Sequence, residues 1–244
     1  MRKTYGGSTL KSQAFLCALL LCLVSIRAGA QEAPPASSSA ATTPAHDNAA
    51  DDHRMFGVLP NYKTINDPDQ AVDPISVGEK FALVKHYFDP FTFVFTGITS
   101  GIEQWENDKA GYGQGAQGYG KRYGADFADG FTNELFVVGV FPSLLHEDPR
   151  YFRLGHGNGW KRTGYALSRI LIARTDSGHD RFNASEFLGN LASGGVSMLY
   201  YPRADRSVSG VFTRMTVEIG YDSLFNLLKE FYPDLKRRFH HNKN

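Results

Sequence analysis

The chain has 244 residues, with 26 Lys and Arg against 25 Asp and Glu, 42% hydrophobic residues and two cysteines. The first thirty positions hold four basic residues (Arg2, Lys3, Lys11, Arg27) and no acidic ones, so the net charge of +1 becomes −3 without them. That balance excludes the basic, phosphate-neutralising face of a nucleic-acid-binding protein. Cys17 and Cys22 lie in the same segment, which leaves the remainder without a disulfide, a thiol nucleophile or a thiolate metal ligand.

Residues 1–30 read as a secretory signal peptide. Arg2, Lys3 and Lys11 form the basic region, Ala14 to Ile26 the apolar region, and Ala28-Gly29-Ala30 the small-residue cleavage site. The apolar run is about 13 residues, short of the ~20 that span a bilayer. Leu16 and Leu21, not small residues, precede the two cysteines, so the leader is expected to be cleaved and unlipidated, placing the mature chain in the periplasm or against the outer membrane. Residues 31–53, rich in Ala, Pro, Ser and Thr, offer too little to bury to offset their ordering entropy and read as a disordered tether. A helical domain over 54–235 and a basic tail over 236–244 complete the expected organisation.

Met55 to Pro74, with Pro60, Pro68 and Pro74 among Asn and Asp residues, should run extended. Ser76 with Glu79 three residues on is a capping box, and the helix it opens should stop before Pro90. Asp89-Pro90 starts the next helix, in which Phe91, Val94, Phe95, Ile98, Ile102 and Trp105 share one face up to about Asn107. Ala116, Gly120, Gly124 and Ala128 then recur every four residues beside a second ladder of Tyr119, Tyr123, Phe127, Phe131 and Leu135. Ser185, Gly189, Ser193 and Ser197 repeat the small pattern, as do Gly97 and Gly101. Small stripes let helices approach closely, so these three faces are expected to pack on one another; the alternative is that 111–120 is a loop. Pro142 should end the 116–141 helix, a helix from Trp160 to about Arg174 should follow, and Asn183 with Glu186 should cap another that ends before Pro202. The last helix runs from about Asp205 to Phe231. Its segment 208–220 also alternates like a strand at Val211, Thr213, Met215, Val217 and Ile219, but contiguity with Leu224 to Phe231 favours helix. The sum is an all-α, compact bundle of about five to six helices.

Candidate chemistry lies in two polar loops. One holds His146, Glu147, Asp148, Arg150 and Arg153; the other holds Arg174, Asp176, His179, Asp180 and Glu186. Paired His and Asp side chains could serve as acid and base, with His146, Asp148, His179 and Asp180 the catalytic candidates of a hydrolase. The competing expectation is structural: Glu186 and Asp148 as caps, and Arg150 and Arg153 in salt bridges to carboxylates such as Asp176 or Asp180. Ser177-Gly178-His179 resembles one of three segments of membrane-lipid-type acid phosphatases. The spacing from Lys161 reaches Ser168 where that family has arginine, and the spacing from Arg214 reaches Gly220 where it has its histidine nucleophile, so the covalent mechanism has no nucleophile here. Gly111-x-Gly113-x-Gly115 lacks the lysine-serine pair and preceding strand of a phosphate loop. No cofactor or metal is expected. The tail Lys236-Arg237-Arg238-Phe239-His240-His241 is solvated or touches anionic lipid.

The segments Gly118 to Gly124, Phe141 to Arg153 and Glu186 to Asn190 together resemble an uncharacterised family of exported bacterial proteins. The resemblance implies helical architecture and export. The expected role is a non-enzymatic envelope protein working on a protein partner or a membrane surface, the alternative being the hydrolase. N-terminal sequencing of the envelope-localised protein is expected to begin at Gln31; an intact Met1 would overturn the leader.

Overall fold

The computed structural model describes residues 54–66 and 73–241, with side chains to 238; the 1–30 leader, the 31–53 tether and residues 242–244 of the tail lie outside the described residues. The chain enters through β1 (Arg54–Met55) and β2 (Leu59–Pro60), an antiparallel pair, and β3 (Thr64–Ile65). Helix α1 (Val77–Lys85) starts where the capping box predicts. Ser76 Oγ accepts the Glu79 amide at 3.2 Å, and the Ser76 amide donates to Glu79 Oε2 at 2.8 Å, satisfying two amides that a helix start leaves unpaired. Asp89 Oδ1 likewise accepts the Phe91 amide at 2.9 Å and starts α2 (Pro90–Glu106), which ends at left-handed Asn107.

Helix α3 (Gly115–Glu134) passes into a wide π turn, Leu135–Val140, and then α4 (Phe141–Leu145). Pro142 therefore does not end the helix. The wider turn absorbs the residue that lacks an amide hydrogen, and left-handed His146, φ 55°, stops the run instead. Two strands that the loop pattern concealed follow, β4 (Glu147–Asp148) and β5 (Tyr151–Phe152), the latter parallel to β3. Helix α5 (Gly159–Ser168) ends well short of Arg174. Ile172–Thr175 is instead strand β6, the centre of a β4-β6-β7 sheet with β7 (Asp180–Phe182). Ile172, Ala173, Arg174 and Thr175 satisfy their backbone groups across this sheet, so tertiary pairing overrides a locally acceptable helical pattern. Helix α6 (Ala184–Ser197) is capped by Asn183, whose Oδ1 accepts the Glu186 amide at 3.2 Å. Helix α7 (Val208–His241) is continuous through the ambiguous 208–220 stretch and beyond Phe231.

The molecule is mostly helical, and among the described residues no helix is long and apolar enough to cross a membrane. Helix α2 lies on α3, and α6 is held between α3, the π turn and α7. An apolar cluster of Met55, Leu224, Leu228 and Tyr232 joins the N-terminal hairpin to the C-terminal half of α7.

The small-residue ladders divide. On α6, Ser185, Gly189, Ser193 and Ser197 are all buried, and a Cβ on Gly189 would sit 2.6 Å from Val137 Cγ2 and 3.0 Å from the Val137 backbone. On α3 the expected ladder of Ala116, Gly120, Gly124 and Ala128 is not the packing face. Ala116, Gly120 and Gly124 are exposed, and nothing lies within 4 Å of a Cβ on either glycine. The neighbouring aromatic ladder packs on α2 instead: the Tyr119 hydroxyl donates to Gly97 O at 3.0 Å, and Phe127 stacks on Phe93 with centroids 5.1 Å apart. The glycine stripe on α2 admits these rings. The face of α2 that the apolar spacing marked is partly turned outward, with Val94 62%, Ile98 54% and Trp105 87% exposed, whereas Thr96 and Ser100 are buried.

Replacing Gly189 with Ala is expected to lower stability by ~1–3 kcal/mol through overpacking. Gly120→Ala and Gly124→Ala should each raise it by about 0.5–1 kcal/mol, since an open helical site gains propensity without a clash. Thermal denaturation of the three variants separates the ladders, and destabilisation by Gly120→Ala would place α3's contact face back on the small stripe.

Candidate functional site: an ionisable cavity between the helices

The two polar loops meet along the β4-β6-β7 sheet, where their charged side chains are exposed or engaged in ion pairs. The His146 side chain is 82% exposed, with Nδ1 3.9 Å from Asp176 Oδ2. His179 is also exposed, with its ring Nδ1 3.2 Å from Ser177 Oγ. Asp148 is taken by Arg150, whose Nη2 lies 2.7 Å from Oδ2, and Asp180 by Arg169 at 3.0 Å. The expected pairing of Arg150 or Arg153 with Asp176 or Asp180 is thereby corrected. Arg150 bonds two residues back, Arg153 donates to the Asn66 carbonyl, and Asp176 receives the fully buried Lys80 at 2.8 Å. Glu147, also buried, accepts the Ser185 amide at 3.0 Å and the Arg181 guanidinium at 2.9 Å, so this carboxylate neutralises the positive end of α6. The 107–115 loop is likewise structural. Arg122, wholly buried, donates to the carbonyls of Asp108 at 2.6 Å and Gly113 at 2.7 Å, which holds Asn107, Lys109 and Gly113 at positive φ. Among the described residues no group of three His, Cys, Asp or Glu is placed to hold a metal ion.

The residues that do converge line a cavity of about 640 Å³ walled by α2, α3, α6, α7 and the segment after β2. On α7, Arg214, Glu218, Asp222 and Lys229 fall on one helical face and all reach the wall. Opposite them α3 contributes Asp126, Asp129 and Glu134, and α2 contributes Glu103. Asp129 is the central acceptor: Ser197 Oγ approaches Oδ1 at 2.6 Å, the Tyr201 hydroxyl approaches Oδ2 at 2.5 Å, and Arg214 Nη2 lies 2.6 Å from Oδ2. At one end Lys109 bridges Glu103 at 2.7 Å and Asp126 at 3.0 Å. At the other, Lys63 contacts Glu134 at 2.8 Å, close to Asp222, Glu186 and Lys229.

The protonation pattern follows from this enclosure. Burial, reinforced by Asp222 and opposed by Arg214, pushes the Glu218 carboxyl up to about 7. Burial raises both Glu186 and Asp222; the neighbouring Asp222 adds to the rise at Glu186, whereas at Asp222 the rise is opposed by Lys63 and Lys229. Burial also raises Glu103, against the pull of Lys109. Lys229 moves the other way, down to about 8, through burial and the neighbouring Lys63. Among the described residues, three buried polar atoms of cavity-lining residues, Arg214 Nη1, Asp108 Oδ2 and Asp205 Oδ2, find no hydrogen-bond partner. Orphaned groups of this kind are rare in folded proteins and call for an explanation.

The sequence carried a signal for this wall in the polar residues 214, 218, 222 and 229, which recur at helical spacing along a helix otherwise read by its apolar positions. No known protein family matches the chain, and neither the curated proteins nor the solved structures contain a detectable relative.

The raised Glu218 carboxyl has a consequence for stability. Its folded value, about 7, exceeds the unfolded 4.5, so the folded chain holds this proton more tightly. The stabilisation is complete below about pH 4.5 and is lost as pH rises through about 7. Glu218→Gln, which cannot ionise, is expected to flatten that part of the decline in urea-unfolding free energy. An unchanged slope would show that Glu218 does not titrate in this window.

Proposed function

We propose that this chain is an exported, non-enzymatic envelope protein that binds a small ionisable ligand inside its helical shell, delivered by the 1–30 leader and tethered by residues 31–53. The observation that carries the reading is the set of orphaned polar atoms, Arg214 Nη1, Asp108 Oδ2 and Asp205 Oδ2, on the wall of the cavity. A volume of about 640 Å³ lies within the ~300–1,000 Å³ of small-molecule sites. A ligand with both a donor and an acceptor would satisfy the guanidinium and the carboxylates together, and the enclosed setting strengthens each contact relative to water. Binding, not turnover, is favoured because the His and Asp candidates of the two loops are exposed or committed to arginines outside the cavity. The outward Val94, Ile98 and Trp105 provide an apolar surface for peripheral association with the envelope.

Native mass spectrometry of the protein released gently from its envelope fraction is the test. A bound small molecule is expected in the wild type and is expected to be lost in Val217→Trp, in which an indole occupies part of the cavity. Identical spectra for the two proteins, with no ligand in either, would overturn the proposal.

A further inference from the structure

Lys229 is the group in the cavity that the ion-pair network leaves uncommitted. Among the described residues its ammonium has neither a hydrogen bond nor an ion pair; the nearest recorded contact is the Tyr151 ring, whose centroid lies 5.9 Å from Nζ. By contrast, Lys63 and Lys109 on the same wall are each held by carboxylates at 2.7–3.0 Å. The groups that act on Lys229 are Lys63 from the segment after β2, Glu134 from α3, Glu186 from α6 and Asp222 from α7 itself, with the Tyr151 ring of β5 beside its ammonium. We infer that Lys229 is a covalent capture site for a small aldehyde or ketone, which it binds reversibly as an imine within the cavity. This rests on the cavity being a ligand site, and it names the ligand's reactive class.

Lys229 and Asp222 lie on the wall, and Glu186 is joined to Asp222 by a hydrogen bond. A lysine beside another cation and partly withdrawn from water holds a larger share of free amine than one at the surface, consistent with Lys229, half-buried, lying at about 8. The Nζ lone pair adds to the carbonyl carbon, and the oxygen takes a proton from the Glu186–Asp222 pair while the nitrogen returns one to it. The hydroxyl then leaves with a proton from the same pair as water, as the nitrogen lone pair forms C=N. Loss of the remaining N–H proton restores the pair. One amine and one carbonyl give one imine and one water, with no oxidant or reductant consumed. The pair is suited to this exchange because burial raises both carboxyls and a hydrogen bond joins them, so a proton can pass to and from the pair.

The test is reductive trapping on the purified mature chain, with propanal or pyruvate as the probe and sodium cyanoborohydride as the trap, followed by peptide mapping. Below pH 8 the Lys229 peptide is expected to be modified on the order of a hundredfold faster than the peptide of exposed Lys161, given the larger free-amine share of a lysine at about 8. Its rate should rise with a midpoint near pH 8. Lys229→Arg should lose that adduct alone, and Val217→Trp should slow it without changing Lys161. Modification of Lys229 no faster than of Lys161 overturns the inference. If native spectra still show a ligand that Val217→Trp expels, the cavity reading survives that result; if they show none, both fall.

Discussion

A charge taken out of water must be given a partner inside, and this constraint organises the whole molecule. Asp129 gathers Ser197, Tyr201 and Arg214; Glu230 accepts the Tyr151 hydroxyl at 2.9 Å and Arg162 Nε at 2.8 Å; Arg122 fastens the 107–115 loop. The Asp129 and Glu230 hubs join segments 68 or more residues apart in sequence, whereas Arg122 ties down the loop next to its own helix. Such groups add little net stability compared with an apolar core, yet removing one partner of a buried pair costs about 3–5 kcal/mol. They therefore select this arrangement of helices over others with similar apolar burial.

The same constraint explains why the interior has an apolar part and an ionic part. The lower half of α7 closes against Met55 and Leu59 in an ordinary hydrophobic cluster. Its upper half faces α2 and α3 across carboxylates, guanidinium and ammonium groups that cannot pack as tightly as methyl groups, and the cavity lies between them. Because α2 gives its small polar side chains, Thr96 and Ser100, to that interior, several of its large apolar residues are left on the outside. A polar interior and an apolar exterior are thus two faces of one helix orientation.

The local punctuation of the fold was legible. Ser76 with Glu79, Asp89 before Pro90, and Asn183 before Glu186 cap helices as their side-chain chemistry dictates, because a cap depends on residues within four positions of one another. The mainly helical class and the continuity of α7 through 208–220 were legible for a similar reason. The small ladder on α6 is buried, but Gly189 meets Val137 and not another small stripe, and Glu186, Asn190 and Gly194 are buried beside it.

The rest depended on partners that periodicity does not name. Two ladders lie side by side on α3, and spacing alone gives the small one and the aromatic one equal claim to the contact; the glycines of α2 decided it by making room for Tyr119 and Tyr123. Ile172–Thr175 became a strand because Glu147, Asp148 and the 180–182 segment supplied the missing hydrogen bonds from either side. The cavity was hidden in the same way: Arg214, Glu218, Asp222 and Lys229 look like the solvated stripe of an amphipathic helix until α3 and the segment after β2 place opposite charges in front of them. Sequence determined where the helices begin and most of their length, since those choices are settled within a turn or two of backbone. Which face is buried, which loops are strands and which charges share a cavity were decided only in the tertiary structure, because they depend on the free energy of groups that meet across long stretches of chain.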